Sequence, residues 1–297
     1  VIAKTGRYDV TVKKKLPTDH VVLYEAGNTV TNNALMAAAL SDGTTVIHGA
    51  SADYMVQDLC MFLKRLGVKI SGIGSPILTI QGVQHVKKNI TFEPTEDPIE
   101  AMFFISTAIT TNSHITIQRV PVDWIGLELF KLKVMGLQYK TSARYRAAND
   151  VTDLVDLEIQ KHNGKLEAPH DKLHPNLWPG INPDNIPYFV PIVACAKGRT
   201  LIHDWIFENR AIYYTELTKI GARIELADPH RIYVQGPTKF TKADVVCPPA
   251  LRPASLLLIG MLAAEGTSIL RNVYTINRGY EDIAERLNSL GADITVL

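Results

Sequence analysis

Four charged residues are placed where they could do chemistry on an anion. Arg210 closes the run Phe207-Glu208-Asn209-Arg210, and Arg278 closes Thr275-Ile276-Asn277-Arg278. Each follows an asparagine, and each stands ten residues after the start of a strand-like run, Thr200–Asp204 or Ser268–Asn272. Arg252 precedes the apolar stretch Ala254–Ala264, which is expected to be a helix. Helix N-termini offer free N–H groups and the positive end of a dipole. Three arginines beside such ends suit a ligand carrying both carboxylate and phosphate. A single arginine could instead tie its loop to a local carboxylate such as Glu208 or Glu281; two at matched positions with a third beside them favour the anion site. Asp184 occupies the loop entering the apolar run Ile186–Ala196, the counterpart of Arg252's place. A carboxylate there can accept a proton from a substrate hydroxyl, or it can cap the helix.

Other patterns carry less. His170 and His174 are four apart but flanked by Pro169 and Pro175, so no helix presents them together and no third ligand completes a metal site. Gly72-Ile73-Gly74 lies between two strand-like runs and reads as a hairpin turn, not a dinucleotide loop. Cys60, Cys195 and Cys247 have no ligand or redox spacing, which fits reduced thiols in the cytoplasm. Cys60 and Cys195 read as small buried side chains; Cys247 stands in a loop before Pro248 and Pro249, with nothing near it in sequence to activate it.

These residues are carried by a repeat. Four times the chain shows an apolar helix, a strand, an amphipathic helix, a Leu/Met/Ile-Gly stop and further strand. The stops, Leu66-Gly67, Met135-Gly136, Ile220-Gly221 and Leu290-Gly291, are spaced by roughly 70 to 85 residues. Each Gly fits a helix C′ position, where the backbone turns left-handed. The apolar helices are expected at Asn32–Leu40, Ile99–Ile109, Ile186–Ala196 and Ala254–Ala264; being apolar nearly all round, they should be buried. Pro187 and Pro191 in the third predict an irregular first turn. The strands after them are expected at Thr44–His48, His114–Gln118, Thr200–Asp204 and Ser268–Asn272. The second helices are expected at Asp53–Leu66, Trp124–Met135, Ala211–Ile220 and Tyr280–Leu290. Strand pairs follow, as in Val68–Ser71 with Ile77–Gln81 and Arg223–Leu226 with Arg231–Gln235. Ala3–Val12 looks like the closing strand pair of an earlier repeat, so the chain, which starts at Val1, is expected to be a fragment or a processed product. Ser142–Asn185 departs from the repeat; it holds a polar strand, Leu154–Gln160, and a Pro/Asn/His-rich loop whose length points to function or mobility. A break is expected near Phe92–Pro98.

Composition narrows the class. The 297 residues are 46% hydrophobic and 21% charged with a net charge of +1, so no charge excess argues for nucleic acid or a membrane surface. No apolar run reaches the roughly 18 residues needed to span a bilayer. Lys13-Lys14-Lys15 reads as a solvated strand end.

Phe207–Arg210 (FENR), Leu251–Ser255 (LRPAS), Ala263–Ser268 (AAEGTS) and Ile276–Ile283 (INRGYEDI) together resemble the C-terminal motifs of the enolpyruvyl transferase family, in its UDP-N-acetylglucosamine branch. The similarity runs in register from about His20 to the C-terminus and is strongest after Phe189. It implies an α/β fold, an inside-out α/β barrel of repeated units in two globular halves. Residues 1–95 would hold one full unit and a remnant strand pair of the first half, and residues 96–297 three units of the second. It implies transfer of the enolpyruvyl group of phosphoenolpyruvate to the 3′-hydroxyl of UDP-N-acetylglucosamine in cell-wall synthesis, through a tetrahedral ketal, with no metal or organic cofactor. By motif, Arg210, Arg252 and Arg278 match the arginines around phosphoenolpyruvate, and Asp184 matches the carboxylate that contacts the attacking hydroxyl. Ile206 matches the backbone position at the sugar amide, and Gly27, Asn28 and Thr29 match the Ser-Val-Gly turn at the diphosphate.

The departures fall on the nucleotide-sugar side. The family's Lys-Asn pair and reactive-Cys loop would lie before Val1. Glu25 replaces a Lys, Ala250 an acid, Pro183 a Thr and Pro98 an Arg. The chain by itself is therefore expected not to turn over. The alternatives are a non-catalytic paralogue or a transferase with another acceptor.

Overall fold

A computed structural model describes residues 2–9, 11, 19–86 and 88–297. The Lys13-Lys14-Lys15 run and the end of the expected Ala3–Val12 pair lie outside the described residues. The chain divides into two compact units, Val1–Thr95 and Glu96–Leu297.

In the first unit, Ile2–Lys4 and Arg7–Asp9 form an antiparallel hairpin. Its sheet has the order His20–Val22, Thr44–His48, Ile77–Gln81, Lys69–Ser71, with the first pair parallel and the others antiparallel. Alternation puts Thr45, Ile47, Leu78 and Ile80 on the buried face, against the helices Asn28–Ala39 and Tyr54–Arg65. Asp53 caps the second helix, its carboxylate accepting from the Met55 N–H at 3.1 Å. Asn28–Ala39 differs from expectation. It starts four residues before Asn32 and buries one stripe, Thr31, Leu35, Ala38 and Ala39, while Val30 and Met36 are exposed. The spacing of four, then three, then one is that of a helix with a single apolar face.

In the second unit the three remaining apolar helices, Pro98–Thr110, Ile186–Cys195 and Leu251–Leu262, pack on one another. Ser106 Oγ donates to the Tyr188 carbonyl at 2.8 Å, and Phe103 meets Tyr188 edge-on at 6.0 Å. Almost every residue of the first two helices is buried, and each fully buried large apolar side chain contributes about 1.5–3 kcal/mol. The irregular first turn before Pro187 is a 3₁₀ turn, Pro183–Asn185, leading into the α-helix at Ile186.

Three sheets share one strand order. The strand after the apolar helix pairs with the last strand of its repeat, which pairs in turn with the second. This holds for Thr44–His48/Ile77–Gln81/Lys69–Ser71, Ile115–Val120/Asp153–Ile159/Tyr139–Thr141 and Gly198–His203/Arg231–Gly236/Arg223–Asp228. In three repeats a segment before the apolar helix also pairs in parallel with the strand after it: His20–Val22 with Thr44–His48, Leu173 with Ile202, and Asp244–Val246 with Ile269–Arg271. All four stop glycines are left-handed: Gly67 (φ +104°), Gly136 (+96°), Gly221 (+94°) and Gly291 (+101°), where a Cβ would be strained.

The third amphipathic helix, expected as α, is a 3₁₀-helix at Arg210–Ile220. Its buried apolar residues, Ala211, Tyr214, Leu217 and Ile220, recur every three positions. That spacing lines one edge of a helix with three residues per turn and would spiral off an α-helix. The long loop after Asp153–Ile159 is also tied down. Leu173 donates its N–H to the Leu201 carbonyl at 2.9 Å and accepts from His203 N–H at 2.8 Å, and Trp205 Nε1 donates to the Pro175 carbonyl at 3.0 Å. Among the described residues no helix is long and apolar enough to cross a membrane.

Candidate active site

Asp184 is delivered by the 3₁₀ turn Pro183–Asn185. The cap of that turn is Asn182, whose Oδ1 accepts from the Asp184 N–H at 2.9 Å. The Asp184 carboxylate is therefore not spent on capping. Its Oδ1 meets Arg210 Nη1 at 3.1 Å and its Oδ2 lies 3.9 Å from Arg252 Nη2. Two of the three arginines picked out by spacing thus flank the one carboxylate picked out by spacing.

Arg210 is fixed from several sides. Asp204, fully buried at the end of strand Gly198–His203, takes Nε at 2.6 Å and Nη2 at 3.0 Å. The Pro183 carbonyl takes the other Nη2 hydrogen at 2.5 Å. The Phe207 ring lies 4.1 Å from the guanidinium carbon. One Nη1 hydrogen is left over. The local carboxylate weighed as its anchor, Glu208, instead faces His230 Nε2 at 3.3 Å. Tyr214 donates its hydroxyl to Asp204 Oδ2, and burial holds that phenol far above its ordinary range.

Arg252 enters from the first turn of helix Leu251–Leu262. Its Nη1 donates to the Tyr280 hydroxyl at 3.0 Å and faces that of Tyr188 at 3.4 Å. The two phenols hydrogen-bond to each other. Burial raises both, so they stay neutral beside the guanidinium. Arg278 is different. It is exposed, at the C-cap of a short helix, Tyr274–Asn277, not at a helix start, and it forms no ion pair among the described residues. Its matched spacing with Arg210 therefore does not give a matched setting, because this extra helical turn intervenes. Two residues later Tyr280 reaches Arg252, and a side chain at Gly279 would run into Leu251. The Arg278 loop thus lies against the start of the Arg252 helix.

Ile206 is half-buried between exposed Trp205 and Phe207. Gly27, Asn28 and Thr29 belong to the first unit. Gly27 is the N-cap of helix Asn28–Ala39, Asn28 Oδ1 accepts from Ser51 Oγ at 2.6 Å, and the Thr29 carbonyl accepts from Asn33 Nδ2 at 2.8 Å. A Cβ on Gly27 would stand 3.7 Å from Glu25 Oε1, so a carboxylate crowds this helix start. The cysteines are removed from nucleophilic work: burial pushes Cys60 and Cys195 up to about 12 and Cys247 up to about 11. Among the described residues no group of three His, Cys, Asp or Glu is placed to hold a metal.

Several members of the site carry no sequence signal of their own. Asp204, Tyr214, Tyr188 and Tyr280 surround the arginines, and Glu128 lies beneath the Asp184 turn. Tyr280 lies inside the INRGYEDI segment, which is the one signal that could have found it.

The sequence profile of EPSP synthase (3-phosphoshikimate 1-carboxyvinyltransferase) matches residues 6–287. The chain belongs to the EPSP synthase family. Within this family it is similar to the UDP-N-acetylglucosamine 1-carboxyvinyltransferase of Bacteroides thetaiotaomicron, at 36% identity over 294 residues, covering 98% of this chain and 65% of the relative. The enzyme of that name from Treponema denticola is 36% identical over 284 residues, covering 95% and 65%. The chain thus spans just under two-thirds of the length of these EPSP synthase family relatives. Among solved structures it resembles the enolpyruvyl transferase NikO from Streptomyces tendae, with a TM-score of 0.79 at 23% identity over 96% of this chain and 68% of that one. EPSP synthase from Acinetobacter baumannii superposes with a TM-score of 0.74 at 18% identity, over 95% and 64%. The mixed helix–strand fold is that of the EPSP synthase family.

Proposed function

We propose that the protein carrying this chain transfers the enolpyruvyl group of phosphoenolpyruvate to the 3′-hydroxyl of UDP-N-acetylglucosamine, the first committed step of peptidoglycan synthesis. The observation that carries this reading is Asp184 held between Arg210 and Arg252, in a chain whose relatives bear that enzyme's name. In this reading Glu96–Leu297 is the second half of an inside-out α/β barrel and Val1–Thr95 contributes to the first.

The chemistry assigns work to each residue. The acceptor hydroxyl adds through oxygen to C2 of phosphoenolpyruvate, its proton passes to Asp184, and C3 takes up a proton to give a tetrahedral ketal. Cleavage of the C2–O bond to phosphate, with loss of a proton from C3, restores the C2–C3 double bond and gives the enol ether. Charge on the phosphate and carboxylate is greatest around these steps, so fixed cations that need no reorganisation stabilise them. Arg252 supplies such a cation from a buried setting, and Arg278 supplies an exposed one free to close on the ligand. Arg210, with most of its donors committed, orients Asp184 and has one Nη1 hydrogen for the anion. Ile206 offers its backbone to the sugar amide, and Gly27, Asn28 and Thr29 the helix start to the diphosphate. The reaction calls on no metal or organic cofactor. A nucleotide-sugar substrate and three reduced thiols fit a cytoplasmic setting, with no nucleic-acid or membrane partner.

A second reading keeps the phosphoenolpyruvate chemistry and changes the acceptor. The Glu25 carboxylate beside Gly27 favours it, because an acid at that helix start opposes a diphosphate. Phosphate release from phosphoenolpyruvate, measured with and without UDP-N-acetylglucosamine, tests the proposal. Release that requires this acceptor is the expected result. Release that requires a different hydroxyl compound supports the second reading, and no release with any acceptor supports a non-catalytic paralogue.

A further inference from the structure

Glu128 is a buried carboxylate with no place in the chemistry above. It stands on helix Gly126–Val134 and is 1% exposed. Its Oε1 accepts two hydrogen bonds, from the Asn182 backbone N–H at 3.0 Å and from Asn185 Nδ2 at 2.9 Å. These donors lie on either side of Asp184 in the chain. Asn182 in turn takes the Asp184 N–H through its own side chain at 2.9 Å. The turn that presents Asp184 is thus gripped before and after the carboxylate by a single oxygen from another helix.

The cost of this arrangement marks it as specific. Asn185 is fully buried and its Oδ1 has no hydrogen-bond partner among the described residues, a loss that an apolar residue would avoid. Only its amide N–H half is used, and it is used on Glu128. Burial also works against the charge on Glu128, pushing its carboxyl above the ordinary range. A helix packing on a loop needs no carboxylate for cohesion. A carboxylate with two convergent donors fixes where the loop backbone lies, and so where the Asp184 oxygens sit between Arg210 and Arg252.

We infer that Glu128 is a positioning residue for Asp184, holding the Pro183–Asn185 turn so that the Asp184 carboxylate meets both arginines and the acceptor hydroxyl. This rests on the reading of Asp184 as the proton acceptor. Glu128 does not touch substrate in this account; it acts only through the turn.

The test compares Glu128→Gln, Glu128→Leu, Asp184→Asn and the double variant Glu128→Leu/Asp184→Asn in the protein as its gene encodes it, with phosphate release as the assay. Glu128→Leu removes the acceptor at similar volume and is expected to lower kcat about 100-fold, with KM for phosphoenolpyruvate changed less than about threefold. Glu128→Gln keeps an acceptor oxygen and is expected to recover most of that loss. In the Asp184→Asn background, adding Glu128→Leu should cost less than about threefold, since the residue it positions is already disabled. Equal losses in both backgrounds, or a change confined to KM, would overturn the inference. A crystal structure of Glu128→Leu reads the same point without turnover: the Asp184–Arg210 contact should be broken, and an unmoved Asp184 contradicts the inference. If the unaltered protein releases no phosphate, the functional reading fails, while that structure still decides whether Glu128 places Asp184.

Discussion

The Asp204 carboxylate holds the Arg210 guanidinium by both of its oxygens, Nε to Oδ2 at 2.6 Å and Nη2 to Oδ1 at 3.0 Å, with the carboxylate wholly buried. Removing one partner of such a pair leaves a charge without compensation in the interior. Asp204→Ala is therefore expected to destabilise the Glu96–Leu297 unit by about 3–5 kcal/mol. Urea denaturation followed by Trp fluorescence measures it. A loss under about 1 kcal/mol, the size of an exposed pair, would show that Arg210 is held by other means.

Arg252 and Arg278 should separate stability from binding. Arg278 is exposed and unpaired among the described residues, so Arg278→Ala should change stability by no more than about 0.5 kcal/mol. On the proposed function it should nonetheless lower kcat/KM for phosphoenolpyruvate by about 100-fold. Arg252→Ala also strips a cation from two buried phenols and should lower both stability and activity. Thermal melts run beside steady-state kinetics check the pair. An Arg278→Ala variant of unchanged kinetics would remove that residue from the site.

The buried phenols predict the alkaline limb of stability. Tyr188 and Tyr214 have pKa values raised above the ordinary 10, chiefly by burial. A group raised in the folded state holds its proton there after the unfolded chain has released it. Stability is thus unaffected below about pH 10 and falls as pH rises from there toward the folded values. Absorbance titration should show the exposed tyrosines ionising near pH 10 and the buried ones only together with unfolding. Ionisation of the whole tyrosine set near pH 10 with the fold intact would contradict this placement.

The thiols give a simpler check. With Cys60 and Cys195 pushed up to about 12 and Cys247 to about 11, almost no thiolate is present at pH 8. A disulfide reagent should label the native chain slowly and the denatured chain rapidly at all three positions. Fast native labelling of any of them would mean that its site opens.

Much of this architecture was legible because backbone rules leave local marks. The four Gly stops were readable since a left-handed helix end tolerates little else, and Thr44–His48 since its β-branched run Thr-Thr-Val-Ile is bounded by Gly43 and Gly49. The 3₁₀ character of Arg210–Ile220 was also written in the spacing of Ala211, Tyr214, Leu217 and Ile220, but Gly221 after it ends either helix type equally well. The meeting of Arg210, Arg252 and Asp184 could be anticipated from equivalent places in successive repeats. Arg278 escaped that logic, because the short helix Tyr274–Asn277 changes its setting without changing its spacing. Glu128 and Asp204 were not legible. A buried carboxylate on an amphipathic helix or at a strand end looks like any solvated acid until its long-range partners, such as Asn182 and Asn185 for Glu128, are known.

In the proposed reaction Asp184, set between Arg210 and Arg252, takes the proton from the hydroxyl of UDP-N-acetylglucosamine as the enolpyruvyl group is transferred. The direct measurement is phosphate release from phosphoenolpyruvate by the protein as its gene encodes it, with mass spectrometry of the nucleotide sugar, for the unaltered protein and for Asp184→Asn. Release is expected to require UDP-N-acetylglucosamine, to yield the enolpyruvyl ether, and to fall by about 100-fold or more in Asp184→Asn. Full release in Asp184→Asn, or release without the nucleotide sugar and without the ether product, would contradict it.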